Sequence, residues 1–290
     1  MNYGVSSSRP LKHLDVWGLL TTFRELVRWR EWYYSKVPLF LVGMVYAVLR
    51  MPQPAAAQAI QMAALFVLLC LYVAFGHVVN VFPAARSMSR SVLAGWSERS
   101  ALIALAIPCI STVDLALICF DATAAAMTMI SVLIAALYSL PPVRLKERGV
   151  LGPLAAALAQ RTLRAAIIFE GLGAWDVVAV GFTALSTLIG LCWIIVHQLQ
   201  DRKNDRRSGV RTLATAEDPQ TLVAVLHVLF SLECACACGV LATMSYFVDP
   251  TVGLAAFAYA VGRGVPRHFA CVARPRVPAD GICGSHVCGP

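Results

Sequence analysis

VVAVGFTALSTLIGLCWIIV, residues 177–196, runs directly into HQLQDRKNDRRSGVRTLAT, residues 197–215. The first part is an apolar run of about 20 residues, the length that crosses a bilayer core as a helix. The second crowds Asp201, Arg202, Lys203, Asp205, Arg206, Arg207 and Arg211 into a short stretch. Positions four apart share a helix face, so Asp201 and Asp205 present two carboxylates together at the end of a membrane helix. Hard carboxylate oxygens suit Mg²⁺, which keeps several waters and takes oxygens from a substrate phosphate. The Arg and Lys side chains around them attract the same phosphates. A solvated charged loop with internal salt bridges is the competing reading of these residues.

Composition sets the environment of that site. The chain has 290 residues, 59% hydrophobic and 14% charged, with a mean hydropathy of +0.70. Soluble domains carry about 25% charged residues, so this is a membrane-embedded chain of one bundle. The net charge of +8 is spread as short basic clusters between apolar runs. That pattern sets topology and does not indicate nucleic-acid binding. Charges scattered through the first 34 residues argue against a cleavable signal peptide. Residues 12–34 place Val16, Leu19, Leu20, Phe23, Leu26 and Val27 at helical spacing. They predict either an amphipathic surface helix or a helix packed under the bundle.

Apolar stretches predict spans near 36–54, 56–82, 101–119, 122–140, 151–170, 176–199, 220–243 and 245–262. The expected fold is all-α, a polytopic helical bundle of about eight transmembrane helices, because helices satisfy the backbone in lipid. Loops after the second, fourth and sixth spans carry Arg86, Arg90 and Arg99, then Arg144, Lys146 and Arg148, then the basic residues around Asp205. Loops after the odd spans carry Asp121, Glu170 and Asp249. The positive-inside rule therefore places the N-terminus and the three polar loops on the cytoplasmic side. The expected organisation is an interfacial segment 1–34, a bundle 35–262, and an irregular tail 263–290 rich in Arg, Pro, Gly and Cys. That tail reads as a disordered segment or as the product of a shifted reading frame.

The loop after the fourth span, YSLPPVRLKERG (residues 138–149), stops its helix with Pro141 and Pro142. Arg144 and Lys146 then stand at the bilayer edge. They suit a diphosphate, or serve as a plain positive-inside loop. Together with the DxxxD stretch of residues 201–205, this loop resembles the UbiA superfamily of intramembrane prenyltransferases. Those proteins carry a YSxPPxRxK-type turn after the fourth helix and a DxxxD motif after the sixth. The resemblance runs over residues 27–260 and ends one span short of the nine usual in that family.

The resemblance implies transfer of an isoprenyl group, inside the membrane, from an isoprenyl diphosphate to an aromatic or lipid acceptor. Cyclisation of the same substrate is included. In such enzymes diphosphate departs, an allylic cation forms and the acceptor attacks it. It implies Mg²⁺ at Asp201 and Asp205, and diphosphate contacts from Asn80, Arg86, Arg144, Lys146 and Lys203. Tyr138 would lie near the cation or acceptor. The family's first motif, NDxxDxxxD, departs here. Asn80 keeps the family's Asn, while Val81, Ala84 and Met88 stand at the acid positions, and residues 75–97 hold no carboxylate. Arg86 can neutralise phosphate but cannot orient it as bridging metals would. The alternative is therefore a catalytically impaired, isoprenoid-binding or accessory membrane protein.

Other candidates carry two readings each. Arg161 and Arg164, three apart in the fifth span, point into the interior as an anion or acceptor contact, or sit at the cytoplasmic edge. Asp114, in the third span, is a similar case. His197, four residues before Asp201, orients that carboxylate or is structural, and His77 stands beside another polar loop. The ten cysteines include C-A-C-A-C at Cys234, Cys236 and Cys238, whose alternate spacing does not suit a metal site. No hydrolase, kinase or zinc-enzyme motif appears. A transporter-like bundle would show inverted repeats with broken helices, and none is visible.

Overall fold

The computed structural model of the chain describes residues 37–50, 55–85 and 98–247. All of its extended regular elements are helices. Strand-like pairing among the described residues is limited to one isolated bridge, Gly149 with Thr212. Helices close their backbone hydrogen bonds internally, which is what lipid demands. Five of them are long and apolar enough to cross a membrane, and the chain is an integral membrane protein. The described residues form two compact units. One comprises those before Leu145 together with Ala166–Ala174, the other Leu145–Ala165 together with those from Trp175 onward.

In the first unit, α1 (Val37–Arg50), α2 (Ala55–Ala85), α3 (Glu98–Cys119) and α4 (Ala122–Ser139) follow in order. α2 packs on α3 and α4, and α3 packs on α4. Tyr72, Phe75 and Val79 of α2 meet Val132 and Ala135 of α4 in a buried cluster. The Tyr72 hydroxyl donates to the Ser131 carbonyl at 3.1 Å, which satisfies its polar tip inside an apolar core. α4 starts at Asp121, whose carboxylate accepts from Ala124 N at 2.7 Å, an N-cap bond. It stops at Leu140, held extended because the following proline disfavours helix. Ile103, Ile107, Ile110, Leu117 and Ile118 are exposed on α3. In a membrane protein such a face meets lipid.

In the second unit a 3₁₀ turn (Leu145–Glu147) precedes α5 (Leu151–Ala157), a π-helical segment (Leu158–Thr162) and α6 (Leu163–Gly171), whose later part belongs to the first unit. Then come α7 (Val177–Arg207), the short α8 (Leu213–Ala216) and α9 (Pro219–Phe247). α7 is the hub: α5, the π segment, α8 and α9 all pack on it. Cys192, Ile195 and Val196 of α7 share a buried cluster with Leu213, Ala214, Leu222 and Leu226. Higher up, Gly190 opens a notch for the stem of Arg161. A Cβ there would stand 2.9 Å from Arg161 Cγ and 3.2 Å from Ala157 Cα.

α2, α3, α4 and α7 occupy the expected second, third, fourth and sixth spans, and α1 covers most of the first. The fifth is helical but carries the π segment, which the apolar pattern did not signal. α9 runs unbroken to Phe247, so the expected division between spans at residue 244 falls inside a helix. Residues 248–262, the N-terminal segment 1–34 and the tail 263–290 lie outside the described residues. Two glycine substitutions should separate packing from propensity. Gly190→Ala should lower thermal stability in detergent by about 1–3 kcal/mol through overpacking. Gly239→Ala, where a Cβ meets nothing within 4 Å, should raise it by up to about 1 kcal/mol through helix propensity.

Candidate functional site

α7 has 31 residues and is therefore about 46 Å long at 1.5 Å per residue. The hydrocarbon core is about 30 Å thick. The charged last turns, which hold Asp201 and Asp205, thus stand beyond the apolar part of the helix. Asp205 sits in the last turn of the helix, where the macrodipole is negative, and Asp201 one turn before it. Acids there cost stability and cations gain it, each by about 0.3–1 kcal/mol. Arg206 and Arg207 in the last turn offset that cost.

The end of α7 is closely fastened. Gly209 takes φ +68°, a left-handed conformation that costs glycine little. Gly209 N donates to Arg206 O at 3.3 Å and Val210 N to Asp205 O at 2.9 Å, the paired bonds of a glycine-terminated helix. Arg202 Nη2 reaches Glu217 O at 3.3 Å and ties the helix to the far end of α8. Thr212 Oγ1 donates to Asp205 Oδ2 at 3.3 Å. The backbone of Thr212 also pairs with Gly149, itself at φ +56°. This bridge joins the DxxxD stretch to the loop that carries Lys146. The approach there is tight, since a Cβ on Gly152 would lie 3.1 Å from the Lys146 carbonyl.

The electrostatics follow from this packing. Burial pushes the Asp205 carboxyl above its ordinary range and the Asp201 charge adds to the rise; the Thr212 hydrogen bond, Lys146 and His197 oppose it. His197 Nε2 lies 3.7 Å from Asp201 Oδ2, with both side chains largely exposed, as the i, i+4 spacing allows. Lys203 is exposed on α7 and, two residues from each carboxylate, occupies a different face. Among the described residues no three His, Cys, Asp or Glu side chains gather as a metal cage. Two carboxylates at a water-facing helix end nonetheless fit an ion that retains waters and completes its shell with phosphate oxygens.

Gln198 was not among the residues singled out from the sequence. It is buried at 6% exposure, and neither its amide oxygen nor its nitrogen is hydrogen-bonded. Spacings of three and seven put it on the face of Asp201 and Asp205, deeper toward the membrane. That same-face spacing was the available signal. Arg161 and Arg164 are both buried, at 4% and 1% exposure.

In the first unit, Asn80 accepts a hydrogen bond from Ser139 Oγ, so the residue retained from the first motif is tied to the end of α4. Tyr138 is buried on α4. Arg144 is half-buried with φ 43°. Arg86 lies outside the described residues.

The second unit's site should show the trade of stability for function in free protein. In divalent-free buffer at neutral pH, Asp205→Asn should raise the melting temperature by removing a carboxylate held above its ordinary range. Gln198→Leu should raise stability by about 1 kcal/mol by removing an unsatisfied buried amide. Differential scanning fluorimetry in detergent checks both.

No protein-family model matches the sequence and no curated protein matches it. Solved structures do. A UbiA homologue from Archaeoglobus fulgidus bound to Cd²⁺ aligns with a TM-score of 0.66 at 15% identity, over 89% of this chain and 91% of that one. The A. fulgidus homologue bound to DMAPP and Mg²⁺ aligns at 0.61 and 16%, over 83% and 86%. A structure of digeranylgeranylglyceryl phosphate synthase in membranes aligns at 0.57 and 16%, over 88% of each chain. At such identities the likeness speaks for architecture: this chain has the UbiA-superfamily fold.

Proposed function

We propose that this chain binds an isoprenyl diphosphate through Mg²⁺ held by Asp201 and Asp205, and transfers or cyclises the isoprenyl group within the membrane. The carrying observation is the paired carboxylates at the fastened end of α7, with the loop that carries Lys146 bridged to the same stretch through Gly149 and Thr212. The A. fulgidus homologue with the same fold binds DMAPP and Mg²⁺, which supports the choice of ligand. When bound, the metal supplies charge neutralisation on the leaving oxygens.

The protein groups do the rest. Asp201 and Asp205 supply oxygen ligands, and Lys146 contacts the diphosphate as a point charge. Lys203 attracts the anion from the other flank of the helix. Asn80, Arg86, Arg144 and Tyr138 enter the proposal on the sequence resemblance, the first three as diphosphate contacts and Tyr138 near the cation or acceptor. Apolar helix walls keep water from the cation. The acceptor is an aromatic or lipid molecule. The site opens on the cytoplasmic side, where the N-terminus also lies, by the distribution of Arg and Lys among the loops. Residues 35–262 form the functional bundle.

One observation favours a second reading, a protein that binds isoprenoid without turning it over. Val81, Ala84 and Met88 stand at the acid positions of the first motif. Purified protein in lipid nanodiscs, given labelled isoprenyl diphosphate with and without Mg²⁺, distinguishes the two. Release of diphosphate that falls about 100-fold or more in both Asp201→Asn and Asp205→Asn is the expected result. Mg²⁺-dependent binding with no release establishes the second reading. Absence of any binding removes both.

A further inference from the structure

Thr212 occupies the N-cap position of α8 in extended conformation, yet makes no side-chain cap bond. Threonine at an N-cap ordinarily accepts from a free backbone N–H of the first turn. Here the hydroxyl donates to Asp205 Oδ2 instead. The start of α8 is held by other means: the Thr212 carbonyl accepts from Thr215 N and Ala216 N, both at 3.1 Å, and from Thr215 Oγ1 at 2.9 Å. The residue is 6% exposed, and its backbone is pinned by the bridge to Gly149. Its hydroxyl therefore has little freedom to choose another partner.

Asp205 is fixed from two sides by this arrangement. Its carbonyl is taken by Val210 N and its Oδ2 by Thr212. Among the described residues no hydrogen bond reaches Oδ1. One oxygen is thus oriented by a neutral donor, and the other is left for a further ligand. A donor placed behind a ligating carboxylate sets its direction, and losing such a donor typically costs about 10–100-fold in metal affinity.

We infer that Thr212 is a positioning residue for the cation site: its hydroxyl orients the Asp205 carboxylate, and its bridge to Gly149 keeps the Lys146 loop in register with that carboxylate. The inference rests on the proposed role of Asp205 as a metal ligand. Thr212→Val keeps the volume and the β-branch and removes only the donor. Thr212→Ala removes it with a smaller side chain, and Thr212→Ser restores it.

The test is Mn²⁺ binding, followed by electron paramagnetic resonance on the full chain in nanodiscs without substrate. Folding is checked by melting temperature and gel filtration. Wild type should bind Mn²⁺ and Asp205→Asn should not. Thr212→Val and Thr212→Ala should each weaken the affinity by about 10-fold or more, and Thr212→Ser should stay near wild type. Valine and alanine variants that bind as wild type overturn the inference while leaving the metal site intact. So does a serine variant as weak as valine, because then the hydroxyl is not the cause. A wild-type protein that binds no Mn²⁺ overturns the metal reading itself, and the inference with it. The two failures appear in different samples.

Discussion

The Asp205 carboxylate, in the last turn of a long helix, works against that helix's own dipole, with a second carboxylate, Asp201, one turn behind it. The acids repel each other and the helix end, and Asp205 is also partly withdrawn from water. A soluble helix relieves such a conflict by placing its cations in the last turn, and α7 does so with Arg206 and Arg207. The acids are nonetheless retained. Keeping them together requires a helix end that cannot fray, and the left-handed glycine, the Val210 bond and the Arg202 tie to α8 supply it.

That rigidity is transmitted through backbone contacts. The Gly149–Thr212 bridge joins two stretches far apart in the chain, and glycine at 149 and 209 permits the left-handed turns on either side of it. Gly152 lets α5 start directly against the 3₁₀ turn that carries Lys146. Small residues thus set the spacing, while the charged residues carry the proposed chemistry. The Thr212 hydroxyl joins the two tasks, since it belongs to the scaffold by position and to Asp205 by hydrogen bond.

Deeper in the same unit, polar groups persist where an apolar core would be more stable. Gln198 is buried with both ends of its amide unsatisfied. The stem of Arg161 is accommodated by a glycine notch on α7 and by a π-helical segment on its own helix. π segments interrupt regular helices at a cost and recur at functional sites.

The sequence by itself determined the membrane class and the helical architecture, because hydropathy over about 20 residues leaves lipid-facing backbone few alternatives. It also placed Asp201 and Asp205 on one face, since spacing along a helix is a local property. The Thr212 hydrogen bond, the Gly149 bridge, the burial of Gln198 and the notch at Gly190 are different in kind. They depend on which helices pack on α7 and on how closely, and a one-dimensional pattern does not contain that. The π segment was hidden for the same reason: its residues read as ordinary span, and its register is decided against the neighbouring helix. The helical spans and the charged face were therefore legible in the chain, and only tertiary packing decided which polar groups stand behind them.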